Sequence, residues 1–206
     1  MVNWKLLLTP AILAVWLAPS LAPAQTLTQG ERNRALSELH ATRKLFLDTI
    51  ADVSEQQWRW KPSAEAWSVA EVAEHVAVTE DSYWNAIQRN LESPAAPEKR
   101  AEIKIADEDV IPRMADRSSK RKTCEGNAPA GRFAGAAQTA AHFRASRDRL
   151  IAFVTATDQD LRNRVWPHKA YGALDGYQWV LLACGHIERH VAQIKEVLGA
   201  PGFPKQ

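Results

Sequence analysis

The sequence is poor in cysteine, with only Cys124 and Cys184 among 206 residues. A single bridge in a domain of this size is not a disulfide framework, so the fold must rest mainly on apolar packing. Whether the two thiols pair stays open. Cys184 lies two residues before His186, about 200° away around a helix. This favours a structural role or a disulfide over metal ligation.

An excess of charge of one sign is also missing. The 26 basic side chains are nearly balanced by 24 acidic ones, giving a formal net charge of +2. This balance argues against nucleic acid as the main partner. The one basic cluster, residues 117–122, is interpreted as a solvated loop. Long apolar segments are absent after the N-terminal region, which predicts a soluble mature protein without a membrane partner.

The N-terminal region is typical of a secretory signal peptide. One lysine precedes residues 6–18, which are apolar apart from Thr9 and Pro10. This run is shorter than the roughly 20 residues needed to span a bilayer. The small-x-small pattern that follows predicts cleavage after Ala24. We therefore expect a signal peptide at residues 1–24 and a periplasmic or secreted protein with a single domain at residues 25–206.

Four later segments repeat apolar residues at helical spacing between charged ones. Ser68 and Glu71 form a capping box at the start of the second segment. No strand pattern and no internal repeat is evident. The sequence therefore predicts an all-α domain, a four-helix bundle. The predicted helices are residues 28–51, 68–90, 135–156 and, beginning at 175 or 176, the segment that ends at 198.

Long connectors separate these helices. Residues 52–67 are rich in tryptophan and are predicted to cap one end of the bundle core. Residues 91–132 lose periodicity, although a short helical turn at 107–114 is allowed. A loop of this length is usually functional or mobile, and we expect it to cover one end of the bundle. Residues 157–175 form a further connector.

The candidate site centres on a histidine pair in the last helix. His186 and His190 are four residues apart and therefore lie about 40° apart around a helix, so both can turn towards one divalent ion. His75 in the second helix falls between apolar positions, so it should face inward or lie at the edge of the buried stripe. Three imidazoles would leave one coordination position open, as in catalytic zinc sites.

Other interpretations of these residues stay open at this point. A histidine pair at this spacing also occurs without any metal role, so the histidines can be purely structural. A metalloprotease is disfavoured because Ile187 stands where the H-E-x-x-H motif has its general base, and Glu188 lies roughly opposite the metal face. Gln193, one turn beyond His190, can orient a ligand or a bound water.

Two motifs together resemble the DinB-like superfamily, which includes YfiT-like thiol transferases and mycothiol-dependent isomerases. Residues 67–75 are similar to its W-S-x-x-E-x-x-x-H segment. Residues 186–193 are similar to its H-T-x-R-H-x-x-Q signature, with Ile187 in place of the common threonine. The resemblance implies an up-down-down-up four-helix bundle that binds a divalent metal ion, nickel or zinc. The implied metal ligands are His75, His186 and His190.

From this resemblance we expect a metal-dependent transferase or hydrolase that acts on a small electrophilic molecule. A low-molecular-weight thiol is one candidate partner. The alternative is a non-catalytic metal-binding or stress-related bundle. The catalytic residues and the oligomeric state, a homodimer included, stay open. Bound metal should raise the unfolding temperature, and this gain should shrink below about pH 6, where histidines of ordinary pKa become protonated.

Overall fold

The computed structural model describes residues 26–205, and the predicted signal peptide lies outside this range. Four long helices dominate the fold, and their bounds agree with the predicted ranges to within two residues. No helix in this range is both long and apolar enough to cross a membrane. The helices are α1 (Gln29–Ala51), α2 (Glu55–Arg59), α3 (Val69–Glu92), α4 (Asp107–Ala115), α5 (Ala136–Ala156) and α6 (Gly176–Leu198), and the strands are β1 (Val165–His168) and β2 (Gly172–Asp175).

Side-chain caps fix where α3 and α6 begin, and these two helices carry the candidate ligands. Ser68 Oγ accepts a hydrogen bond from Glu71 N at 3.2 Å, and the Glu71 carboxylate accepts one from Ser68 N at 2.7 Å. The predicted capping box is thus confirmed. At the start of α6, Asp175 accepts from Gln178 N at 2.9 Å and from Arg162 at 2.8 Å. A side-chain cap typically stabilises a helix by about 1 kcal/mol.

The four long helices form a bundle in which α1 and α3 lie at opposite corners, each packed against α5 and α6. Two apolar clusters give the helix directions. The first joins the C-terminal halves of α1 and α6 to the N-terminal halves of α3 and α5, through residues such as Phe46, Ile194, Val72 and Phe143. The second joins the opposite halves, through residues such as Leu39, Leu181, Ile87 and Leu150. The helices therefore run up, down, down and up in chain order, as predicted.

An ion pair at the centre of the bundle contacts all four long helices. Arg147 of α5 is 0% exposed and donates two hydrogen bonds to Glu80 of α3, at 2.8 and 2.7 Å. It also donates to Thr42 Oγ1 of α1 at 3.1 Å and to the carbonyl of Ala183 in α6 at 3.4 Å. A buried charge is costly without such partners. These contacts therefore favour one register of the four helices over others.

Two connectors contain regular structure that the sequence pattern did not reveal. Residues 55–59 form α2 inside the tryptophan-rich segment, and β1 and β2 form an antiparallel hairpin. The predicted all-α bundle is confirmed, and this short hairpin is an addition to it. Each strand has only four residues, too few to give a reliable alternating pattern. Gly172 lies at the turn with φ 73°, a conformation that glycine adopts without steric cost.

The long crossover between α3 and α5 contains α4, which confirms the helical turn allowed at 107–114. This helix packs very closely on α6. A Cβ added to Gly185 would lie 2.8 Å from the Met114 side chain and 2.9 Å from the carbonyl oxygen of Ile111, so the crossing of α4 and α6 requires glycine. We call residues 116–132, which follow α4, the strap.

Candidate metal centre

The structure brings the three predicted ligands together between α3 and α6. Side-chain nitrogens of His75, His186 and His190 all lie within 4.8 Å of one another. The ring centroids of His186 and His190 are 4.4 Å apart, and that of His75 lies 4.6 Å from that of His190. The three residues are 5%, 5% and 8% exposed, respectively. His75 thus faces inward, and the i, i+4 pair presents both rings to it.

Hydrogen bonds fix which nitrogen of two of the rings carries the proton. His75 Nδ1 lies 2.8 Å from the backbone carbonyl oxygen of Asn127. A carbonyl oxygen only accepts, so His75 Nδ1 must donate. His190 Nδ1 lies 2.9 Å from Gln193 Oε1 and donates to it in the same way. The Nε2 atoms of both neutral rings are therefore left as acceptors that can bind a metal.

The third ring is arranged so that a cation would resolve an electrostatic conflict. His75 Nε2 and His186 Nε2 are 3.1 Å apart. If neither of these two nitrogens carries a proton, their lone pairs face each other and repel. If His186 carries its proton on Nε2 and donates it to His75, His186 Nδ1 is left as a buried acceptor without a partner among the described residues. Nitrogens around a tetrahedral zinc ion lie about 3.3 Å apart, given Zn–N distances of about 2.0–2.1 Å. The three imidazoles therefore fit a divalent ion that prefers nitrogen ligands, such as zinc or nickel.

Burial keeps all three rings neutral. Burial, with a smaller contribution from the neighbouring His75, lowers the pKa of His190 to about 3. Burial and the neighbouring His190 and His75 place the pKa of His186 well below its usual value. Burial also lowers the pKa of His75, although the hydrogen bond to Asn127 opposes this shift. At pH 7 the rings are in the neutral form that binds a metal.

Two aromatic side chains flank the triad and were not predicted as part of the site. The ring centroids of Trp67 and His75 are 5.3 Å apart, and those of Tyr83 and His186 are 5.4 Å apart. Trp67 lies in the segment that was expected to cap the bundle core. Tyr83 is two helical turns beyond His75 on α3, and this spacing is the signal that could have identified it.

The Tyr83 hydroxyl is available to a ligand. Tyr83 is 6% exposed, and its hydroxyl makes no hydrogen bond within the described range. Burial raises the pKa of this phenol above its usual value, so it stays protonated at all physiological pH values. A protonated phenol can donate a hydrogen bond.

Neither cysteine takes part in the triad. Both thiols are free, so the disulfide considered for Cys124 and Cys184 is absent from the structure. Cys184 is fully buried on the bundle side of α6, where burial raises its pKa to about 11. It donates to the carbonyl oxygen of Val180 at 3.6 Å. This position agrees with a structural role for Cys184, whose side chain faces away from the histidines.

The remaining histidines lie elsewhere. His40 of α1 is exposed. His142 is half-buried, and its Nε2 lies 2.7 Å from a carboxylate oxygen of Asp81. His168 packs against Tyr171 and Trp179, and burial lowers its pKa to about 4.

Comparisons with known proteins agree with this fold. The family model of the DinB superfamily matches residues 38–194. The chain is 28% identical over 148 residues to the uncharacterized protein YuaE of Bacillus subtilis (strain 168), covering 72% of this chain and 87% of that protein. A solved structure of YfiT from Bacillus subtilis superposes with a TM-score of 0.58 at 16% identity, covering 89% of this chain and 95% of that one. YfiT is described as a probable metal-dependent hydrolase with an unusual four-helix bundle topology.

Proposed function

Because this chain belongs to the DinB superfamily, we propose that it is a metal-dependent hydrolase whose three buried histidines hold a divalent ion. One observation carries the proposal. His75 and His190 each donate Nδ1–H to an oxygen, at 2.8 and 2.9 Å, which leaves their Nε2 atoms free to bind a metal. His75 Nε2 lies 3.1 Å from His186 Nε2. Such outer hydrogen bonds orient metal-binding histidines in general. Zinc or nickel is the ion we propose.

The ligand set favours turnover over storage. In the described part of the chain, the three histidines are grouped within ligand reach without a fourth histidine, cysteine, aspartate or glutamate. Three protein ligands with an open position are typical of catalytic zinc sites, whereas structural sites are closed. A bound divalent ion would supply Lewis acidity and would lower the pKa of a water molecule to near 7. The description of YfiT as a probable metal-dependent hydrolase supports this assignment.

The hydrogen bonds, burial and protonation of the residues around the triad indicate their roles. The Asn127 carbonyl and Gln193 hold two rings in the ligand tautomer. Trp67 and the strap exclude bulk water, which strengthens electrostatic interactions inside the site. Tyr83, protonated and without a partner, can donate to an oxygen of the substrate. The low exposure of the histidines restricts the substrate to a small molecule or to a narrow group at the end of a larger one.

Metal content and hydrolysis, measured on the same samples, test this function. Wild-type protein loaded with zinc or nickel should retain about one ion per chain after dialysis, and His190→Ala should bind it more than about 100-fold more weakly, because removing a ligand costs more than removing an outer partner. His40→Ala, at an exposed position on α1, is the matched control and should retain the ion.

Activity then separates an enzyme from a metal-binding protein. Ester and amide substrates should be hydrolysed by loaded wild type and by His40→Ala, but not by His190→Ala. If the loaded protein consumes a low-molecular-weight thiol in the same screen, its activity is thiol transfer and not hydrolysis. A wild-type protein that retains no ion after loading would refute the metal site itself.

A further inference from the structure

The strap is fastened to α6 at its first residues. Arg189 of α6 donates to the backbone carbonyl oxygens of Asp116 and Ser119. In the opposite direction, Arg117 of the strap donates to both carboxylate oxygens of Glu196, at 2.8 and 2.6 Å. Two-point contacts between arginine and a carboxylate are among the stronger and more directional polar interactions in proteins. The start of the strap is thus held against the helix that carries two of the histidines.

The other end of the strap is fastened to α3. The Glu74 carboxylate accepts from the amides of Ala130 and Gly131, at 2.8 and 2.9 Å. Earlier in the strap, Ser82 Oγ donates to Asn127 Oδ1 at 2.8 Å. Glu74 is 5% exposed, so these contacts are sheltered from water. The strap therefore spans from one ligand-bearing helix to the other.

The strap contacts one candidate ligand, His75, directly and reaches a second, His190, only through Gln193. The Asn127 carbonyl accepts the proton of His75 Nδ1, and Thr123 Oγ1 lies 3.3 Å from the same nitrogen. Arg117 Nη1 lies 3.4 Å from Gln193 Oε1. This is the oxygen that orients His190 (2.9 Å). Metal-binding histidines whose outer partner is removed typically lose 10–100-fold in affinity.

We propose that the strap is a functional part of the metal centre, in which Asn127 and Arg117 are positioning residues for His75 and His190 and in which strap closure and ion binding are thermodynamically linked. This inference rests on the proposed metal site. An ion that binds only when the rings are correctly oriented stabilises the closed strap by the free energy of binding. Conversely, a loosened strap lowers the affinity by the same factor, because such coupling is reciprocal.

The contact between Ser82 and Asn127 allows a double-mutant cycle. Ser82→Ala and Asn127→Ala each remove this hydrogen bond but leave the backbone carbonyl and the three histidines in place. Each variant should bind zinc about tenfold more weakly, measured by competition with a chromophoric chelator. The double variant should be no weaker than either single one, because both changes remove the same bond. Ser82→Thr, which retains the hydroxyl, should bind nearly as wild type.

Ser93→Ala is the matched control, since Ser93 Oγ contacts only the backbone of Arg89 at the end of α3. It should retain the wild-type affinity. Circular dichroism on each variant confirms that it is folded. If wild type binds zinc and both Ser82→Ala and Asn127→Ala bind it equally well, the strap has no positioning role, although the metal site itself stands.

Limited trypsin digestion tests the linkage directly. The strap exposes Lys120, Arg121 and Lys122, and cleavage there requires local opening. Saturating zinc should slow cleavage at these residues at least tenfold in wild type and much less in Asn127→Ala. Cleavage after Lys169, in the turn of the hairpin, should not change and controls for inhibition of the protease. Equal cleavage of the strap with and without bound zinc would overturn the linkage.

Discussion

The depressed pKa of His190 makes a quantitative prediction for the metal-free protein. The unfolded ring has an ordinary pKa near 6.5, whereas the folded ring has a pKa of about 3. Below pH 6.5 the unfolded state therefore binds more protons than the native state, so stability falls as the pH falls. From pH 7.5 to pH 5, His190 alone should lower the free energy of unfolding by about 2 kcal/mol. His75 and His186 are shifted in the same direction.

A comparison with a variant isolates this contribution. The pKa of Asp175 is raised to about 6, chiefly by burial. This shift acts with the opposite sign over the same pH range, because the native state there gains the proton first. The pH dependence of wild type alone is therefore a sum of opposing effects. Asp175 contributes equally to wild type and to His190→Gln. Between pH 7.5 and pH 5, the free energy of unfolding of wild type should therefore fall by about 2 kcal/mol more than that of His190→Gln.

Urea unfolding at pH 7.5 and 5.0, in the presence of a chelator, measures this difference. His40→Gln, at an exposed site, should follow the wild-type profile. If wild type and His190→Gln lose equal stability on acidification, His190 is not held in its neutral form by burial, and the electrostatic description of the triad is wrong.

The same shift changes the expected pH range of metal binding. The sequence predicted that stabilisation by metal would shrink below about pH 6, on the assumption of ordinary histidine pKa values. Since the pKa of His190 in the folded protein is about 3, protons compete for the native site only at lower pH. An ion at 100 times its Kd adds about 2.7 kcal/mol, or roughly 5–10 °C in the unfolding temperature of a domain of this size. This gain should persist at pH 5, and its disappearance between pH 7 and pH 5.5 would count against the buried triad.

Three further predictions concern the stability of the fold and the export of the protein. Arg147→Met should cost about 3–5 kcal/mol in urea unfolding because it leaves Glu80 buried without a counter-charge, and adding Glu80→Met should restore much of that loss. Gly185→Ala should cost about 1–3 kcal/mol because its Cβ would lie 2.8 Å from an atom of α4, whereas Gly30→Ala in α1 should be neutral or stabilising. We also propose that the protein is exported, in which case mass spectrometry of the exported form should find Gln25 as its first residue.

The long helices were predictable from the sequence because their signals are local. Apolar spacing fixes the period, and the capping box of Ser68 and Glu71 fixes the start of α3. The pair His186 and His190 follows from one helical turn of geometry. The buried Arg147 gives no such signal, since its burial is compensated by Glu80, which is 67 residues away along the chain.

The strap shows most clearly what sequence patterns miss at this site. It contacts His75 through the carbonyl of Asn127, and Arg117 contacts Gln193, the partner of His190. Every residue has such a carbonyl. No composition or spacing distinguishes residue 127 from its neighbours. Yet this carbonyl, 52 residues from His75 along the chain, decides which nitrogen of that ring is protonated. The sequence therefore identifies the residues that can hold an ion, while only the three-dimensional structure shows which atoms face it.

The origin of the pKa shifts likewise indicates that metal binding by the histidines depends on the three-dimensional structure around them. An isolated i, i+4 histidine pair on a solvated helix would be partly protonated near pH 6 and would bind metal in competition with protons. Here the third ring, the aromatic neighbours and the strap bury the pair, and burial is the largest cause of the lowered pKa at His186 and at His190. Loosening the strap should therefore reduce metal affinity in two ways, by freeing the ring of His75 and by hydrating the rings so that protons compete more strongly. The first effect is independent of pH and the second grows as the pH falls. Hence the affinity ratio of wild type to Asn127→Ala should increase between pH 7.5 and pH 5.5 if the strap serves both purposes, and should stay constant if it only orients the ring.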